Sequence, residues 1–135
     1  MRYLAIDYGL KRTGLAVCDR DEIITSPLAV ISTDNQIIDK IIDIIKQYEV
    51  ESVVIGLPIN MDGSAGGQAA IVKSFAKQLE DAITLPIHFQ DERLSSYSAS
   101  EKLAPAELSR KKKKQKLDAV AAAEILDDFL RNTEQ

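Results

Sequence analysis

Three carboxylates in this sequence occupy positions where an acid is costly. Asp7 closes the apolar run Leu4-Ala5-Ile6 and is followed by Gly9, Lys11 and Arg12. Glu92, with Asp91 beside it, follows the apolar segment Leu85-Pro86-Ile87-His88-Phe89-Gln90. Asp118 shares a helical row with Ala122, Ile125 and Phe129, a spacing that turns it toward whatever that row packs against. A carboxylate on such a face needs a neutralising partner. Mg²⁺ or Mn²⁺ would serve, since a hard cation takes oxygen ligands and keeps several waters. One such ion lowers the pKa of a bound water, and two ions ~3.5–4 Å apart stabilise both the attacking and the leaving oxygen of a phosphodiester. If Asp7, Glu92 and Asp118 meet, metal-assisted hydrolysis of nucleic acid is the chemistry they support.

Each acid also has a plainer explanation. An aspartate after a strand commonly forms a turn or caps a helix. Asp91, Glu92 and Arg93 can form a local ion-pair cluster. Asp118, in the first turn of a helix expected over roughly 116–131, suits the helix dipole. Their joint occurrence is more telling than any one of them.

Cations accompany the acids. Lys11 and Arg12 lie beside Asp7, and guanidinium suits bidentate phosphate contact. Arg93 either contacts phosphate or orients a neighbouring carboxylate. The run Arg110-Lys111-Lys112-Lys113-Lys114-Gln115-Lys116 leads directly to Asp118, with Arg110, Lys112 and Lys113 as candidate backbone contacts. The glycine-rich stretch 57–67 follows a buried strand and precedes a helix, a place suited to phosphate. It lacks the Lys-Ser/Thr of a P-loop, so it reads as a substrate-binding loop, with Asn60, Asp62 and Ser64 its polar groups, or as a plain connector. His88, mid-strand, reads as structural.

Strands at 2–7, 13–19 and 23–31 must position Asp7, with Asp19-Arg20-Asp21-Glu22 turning between the second and third. Their close spacing predicts an antiparallel meander. Ile37, Ile38, Ile41, Ile42 and Ile45 then lie on one helical face, and Thr33 with Gln36 resembles a capping box. Residues 52–57 form a continuous apolar run, as in a strand buried on both faces. A second helix uses Ala69, Val72, Phe75, Ala76 and Leu79. A fifth strand covers 85–90, a short helix lies near 96–103, and the last helix follows the basic run. The order β-β-β-α-β-α-β-α-α predicts a mixed five-stranded α/β sheet with helices on its faces. Ligands in such sheets gather at the carboxyl ends of the parallel strands.

The chain has 135 residues, 45% of them hydrophobic, enough for a single domain over 1–135. Aromatics make up only 5%, which argues against stacking platforms for single strands. No stretch suits a membrane span or a signal peptide. The lone Cys18 lies in an apolar run and reads as a small buried hydrophobe, consistent with a cytoplasmic protein. The net charge is −4, but the basic run holds six of the seventeen cations, leaving eleven against twenty-one acids elsewhere. An acidic body with one basic segment can grip a polyanion there.

The blocks Ala5–Asp19, Val53–Ala69, Asp91–Ser96 and Lys116–Leu126 together resemble the four motifs of the YqgF family. These are bacterial RNase H-like nucleases assigned to pre-16S rRNA processing or to Holliday junction resolution. The resemblance covers nearly the whole chain. It implies an RNase H-like sheet of order 3-2-1-4-5 and a metal-binding acidic triad matching Asp7, Glu92 and Asp118. Asp91 matches a paired acidic position. Ser95 and Ser96 stand where threonines are common, and the hydroxyls survive.

The leading expectation is therefore a metal-dependent endonuclease. It would process the 5′ end of pre-16S rRNA in ribosome biogenesis or resolve branched DNA in recombination and repair. A non-catalytic nucleic-acid-binding assembly factor would keep the basic run without needing all three acids. The first block also resembles the phosphate motif of the actin and sugar-kinase group, but those proteins enclose ATP between two such halves. Monomer and homodimer both remain open, since symmetric cutting of two strands favours a dimer and end processing does not.

Overall fold

Leu4, Ala5 and Ile6 are fully buried in the middle of the molecule, and the alternation of large and small side chains along this strand sets up two different layers. The computed structural model describes residues 1–22, 24–58, 67–91 and 110–133. Its elements are β1 (Tyr3–Asp7), β2 (Arg12–Cys18), β3 (Thr25–Ser32), α1 (Ile37–Gln47), β4 (Ser52–Leu57), α2 (Gly67–Ala82), β5 (Ile87–Asp91) and α3 (Arg110–Thr133). The strands form one sheet in the order β3-β2-β1-β4-β5. β1, β2 and β3 pair antiparallel, whereas β4 runs parallel to β1 and β5 parallel to β4. Both the meander and the expected strand order are present.

One face of the sheet carries Leu4, Ile6, Leu15, Val53 and Ile55, packed against Ile37 and Ile41 of α1 and Val72, Phe75 and Leu79 of α2. The other carries Ala5, Ala16, Cys18 and Val54, packed against Ala122, Ile125, Leu126 and Phe129 of α3. β4 is buried on both faces as its apolar run predicts, and α2 buries Ala69, Val72, Phe75, Ala76 and Leu79.

Local chemistry corrects three expectations. Thr33 and Gln36 do not form a capping box, and α1 has no side-chain cap at Gln36. Asp34 Oδ1 instead accepts the Gln36 N–H at 2.9 Å, and its carbonyl accepts the Ile37 N–H at 3.2 Å. The Thr33 hydroxyl shares a 2.7 Å hydrogen bond with Thr13 Oγ1. Thr13 is fully buried, so this bond satisfies a hydroxyl that would be costly alone.

The last helix begins at Arg110 rather than near 116, so the basic run lies inside it. Lysine and arginine are good helix formers, and neither proline nor glycine interrupts the run. β5 begins at Ile87 and takes in Asp91. The turn at 19–22 forms as expected: Asp19 Oδ1 accepts the Ile24 N–H at 3.2 Å, and Glu22 adopts φ 61°. The expected helix near 96–103 lies outside the described residues.

Candidate active site

Two neighbours on the opposite face fix the direction of Asp7. Ile6 is fully buried in the layer of α1 and α2, and the Tyr8 ring stacks on Phe75 of α2 at 4.2 Å. Alternation along the strand therefore turns Asp7 to the α3 face, the side of Tyr3 and Ala5. Asp7 pairs with Gly14 of β2. Since Ile6 pairs with Ile55, the next step of that register sets Asp7 level with Gly56 of β4. The carboxylate is thus flanked on both sides by residues without side chains, and glycine within a strand commonly marks close approach by a ligand or backbone. A glycine inside each of two apolar strands is visible in the sequence, but its place beside Asp7 depends on the register.

Lys11 and Arg12 stand at the same edge. β2 runs antiparallel to β1, so Arg12 lies two residues beyond the Asp7–Gly14 pair and opposite Ser32. Lys11 is exposed and Arg12 half-buried. The connection holding them is tied to the end of β3. The Lys11 carbonyl accepts the Thr33 N–H at 3.0 Å, and a Cβ at Gly9 would collide with the Arg12 carbonyl oxygen. Gly9 is therefore required by the chain's own backbone.

The register separates Asp91 from this group. Asp91 pairs with Leu57, and Leu57 and Ile87 both pack into the layer of α1 and α2. Asp91 thus ends β5 at the same edge as Asp7 but on the opposite face. Glu92, Arg93, Asn60, Asp62 and Ser64 lie outside the described residues.

Position 118 is reached through α3. The Phe129 ring meets Tyr3 at 5.4 Å and His88 at 5.2 Å, and Thr25 Oγ1 donates to Asp127 Oδ1 at 2.8 Å. These contacts fix the end of the helix over the amino ends of the parallel strands. Burial continues back through Leu126, Ile125, Ala122 and Ala119. Eleven residues of helix from Phe129 to Asp118 span about 16 Å, and four residues of strand from Tyr3 to Asp7 about 13 Å. Arg110, Lys112 and Lys113 occupy the first turn of α3.

Cys18 is buried at the amino end of this face. Its thiol accepts the Tyr3 N–H at 3.3 Å, and burial pushes its pKa up, as suits an inert structural thiol. Among the described residues no cluster of three or more His, Cys, Asp or Glu side chains is placed to hold a metal ion, and no helix is long and apolar enough to cross a membrane.

A family model described as "RuvX: Holliday junction resolvase" matches residues 1–132. A protein of Maridesulfovibrio salexigens named "Putative pre-16S rRNA nuclease" is 41% identical over 132 residues, covering 96% of this chain and 98% of that one. A Rickettsia typhi protein of the same name is 44% identical over 129 residues, covering 94% of this chain and 83% of its own. Among solved structures, T. thermophilus RuvC in complex with a Holliday junction substrate superposes with a TM-score of 0.59 at 17% identity, covering 98% of this chain and 96% of that one. That likeness identifies an RNase H-like fold.

Proposed function

The chain belongs to the RuvX family of nucleases, and we propose that it is a metal-dependent endonuclease of structured nucleic acid that processes the 5′ end of pre-16S rRNA in the cytoplasm. The observation that supports this most is the placement of Asp7: at the carboxyl end of the central strand, turned toward α3, and set between Gly14 and Gly56. The whole chain acts as one domain in this reading.

Asp7, Glu92 and Asp118 are the catalytic residues of the proposal and the ligands of Mg²⁺ or Mn²⁺. The donor set fits such an ion, because all three offer hard carboxylate oxygens, and the residues level with Asp7 on the neighbouring strands are glycines. A bound divalent cation would supply an acidified water and stabilise charge on the phosphodiester oxygens. Asp91 serves as a structural neighbour, since its face of the sheet is the wrong one. Lys11, Arg12 and Arg93 hold phosphates flanking the scissile bond. Asn60 and Ser64 add hydrogen bonds from the loop after β4. Arg110, Lys112 and Lys113 grip the backbone farther out, where cations supply affinity without reading sequence.

A second reading follows from the description of the matching family model, which names Holliday junction resolution. The same residues would then act on branched DNA, with a homodimer cutting two strands.

The test offers precursor 16S rRNA and a four-way DNA junction to the wild-type chain and to Asp7→Asn, each with Mg²⁺ or Mn²⁺. The proposal predicts metal-dependent cleavage that the variant loses while keeping its melting temperature. Cleavage that survives either the substitution or excess chelator would sink it. Preference between the two substrates decides between the readings, and binding without cleavage would indicate a non-catalytic assembly role.

A further inference from the structure

The tip of the β1–β2 connection holds a large aliphatic side chain out in water. Leu10 is 63% exposed, and next to it Lys11 is exposed as well. Its neighbours are tied to the rest of the fold. Gly9 must stay a glycine, since any Cβ there would strike the Arg12 carbonyl oxygen. The Thr33 N–H donates to the Lys11 carbonyl at 3.0 Å, and the part-buried Thr13–Thr33 hydroxyl pair braces the same corner. On the other side Tyr8 is stacked on Phe75. A turn that exposes an isobutyl group keeps apolar area in contact with water, at about 25 cal/mol per Å². Leu10 is also three residues from Asp7, no more than about 11 Å of chain.

We propose that Leu10 is an apolar wedge that enters the base stack of the bound nucleic acid beside the phosphate held by Lys11 and Arg12. The inference rests on the nucleic-acid-cleaving reading above and adds a residue that acts on bases rather than phosphates. Leucine is among the side chains that proteins insert between base steps, unstacking them locally. The neighbouring cations match the backbone that must pass on either side of an opened step. Prying a step apart beside Asp7 would hold one phosphodiester away from the regular helix, so Leu10 is a positioning residue that favours branched or distorted sites over continuous duplex.

The test uses a four-way DNA junction and an RNA hairpin in which 2-aminopurine is moved step by step across the branch or the helix–loop boundary. The probes are mixed with the full chain in chelator, so that the strands stay intact. Wild-type protein should raise the fluorescence at one step. Leu10→Ala should bind with an unchanged salt slope, since no charge is removed, but lose that rise, and Leu10→Phe should restore it. Lys11→Ala should weaken binding and keep the rise in the bound complex. Because Leu10 is exposed, all variants should melt with the wild type. A rise that persists in Leu10→Ala overturns the proposal. So does a wild-type complex in which no step brightens, or failure to bind either probe, or a Leu10→Ala effect confined to self-association of the free protein. Cleavage in Mg²⁺ is scored separately. Brightening without cleavage would refute the nuclease and leave the wedge, and cleavage without brightening would do the reverse.

Discussion

The two faces of the sheet are built from different materials. Toward α1 and α2 it presents Leu4, Ile6, Leu15, Val53 and Ile55, and toward α3 it presents Ala5, Ala16, Cys18 and Val54. Large interlocking aliphatics bury the most apolar area and so contribute most of the stability. Small side chains bury less, but they let a helix lie close to the strands, one of which ends in Asp7. On this second face the alternation of β1 ends in Asp7, and the row of α3 that packs there leads to Asp118. One face holds the fold together, while the other sets the spacing of the candidate site.

The sharpest way to break this contrast is to damage each face in turn. Leu79 is fully buried in the aliphatic layer. Leu79→Ala should cost about 2–5 kcal/mol, from lost transfer energy plus the cavity left behind, read as a lower urea midpoint. Cleavage per folded molecule should not change, because the truncated side chain touches the layer that excludes Asp7. A fall in cleavage beyond the unfolded fraction would mean that the aliphatic face also tunes the site.

Ala122 is the converse position, fully buried on the inner face of α3. Ala122→Leu overpacks that layer and should cost less, about 1–3 kcal/mol. Four residues separate it from Asp118, one helical turn, so pushing the helix outward also displaces the acid. Cleavage should fall by more than the loss of folded protein explains. If cleavage tracked stability alone, the small residues would be ordinary core filling.

Much of this contrast was legible in the sequence. The period-2 alternation Leu4-Ala5-Ile6-Asp7 and the helical row through Ala122, Ile125 and Phe129 both encode burial locally, and a local pattern is readable without a partner. The buried strand 52–57 and the inner face of α2 were readable for the same reason. The face of Asp91 was not, because it depends on Leu57 being its partner across β4 and β5. The role of Gly14 and Gly56 likewise depends on the pairing that sets them beside Asp7. Gly9 needed the position of the Arg12 carbonyl. The start of α3 was placed late because a run of like charges reads as a solvated stretch, although each lysine favours helix.

A smaller effect tests whether the amino end of the α3 face is closed. Cys18 is held there by the Tyr3 N–H and burial, and burial raises its pKa above the ordinary 9.0. A raised acid constant means that the neutral thiol is favoured in the folded chain. Its contribution is therefore complete below pH 9 and lost as the pH rises through the folded value. Cys18→Ala should flatten the alkaline fall in stability, and the native thiol should alkylate far more slowly than the urea-unfolded one. Equal alkylation rates would show that this end of the face is open to solvent.

The smallest effect lies outside both layers, where α1 begins. Asp34 is exposed, and its carboxylate takes a 3.0 Å hydrogen bond from Lys40 Nζ. That bond, with the Gln36 N–H, holds its pKa below the usual 3.8. A depressed pKa means that the charged form is favoured on folding. The contribution is therefore present above the unfolded value and disappears as the pH falls through the folded one. Asp34→Asn keeps an oxygen for the Gln36 N–H and removes the charge facing Lys40. Urea midpoints should then differ slightly at neutral pH, and the gap should close toward pH 2. Exposed ion pairs of this kind contribute little, so the gap should be far smaller than for Leu79→Ala. A gap that stayed constant with pH would assign the role of Asp34 to its turn geometry alone. The start of α1 would then depend on backbone shape rather than charge, leaving packing of its isoleucines as the main force that holds this helix to the aliphatic face.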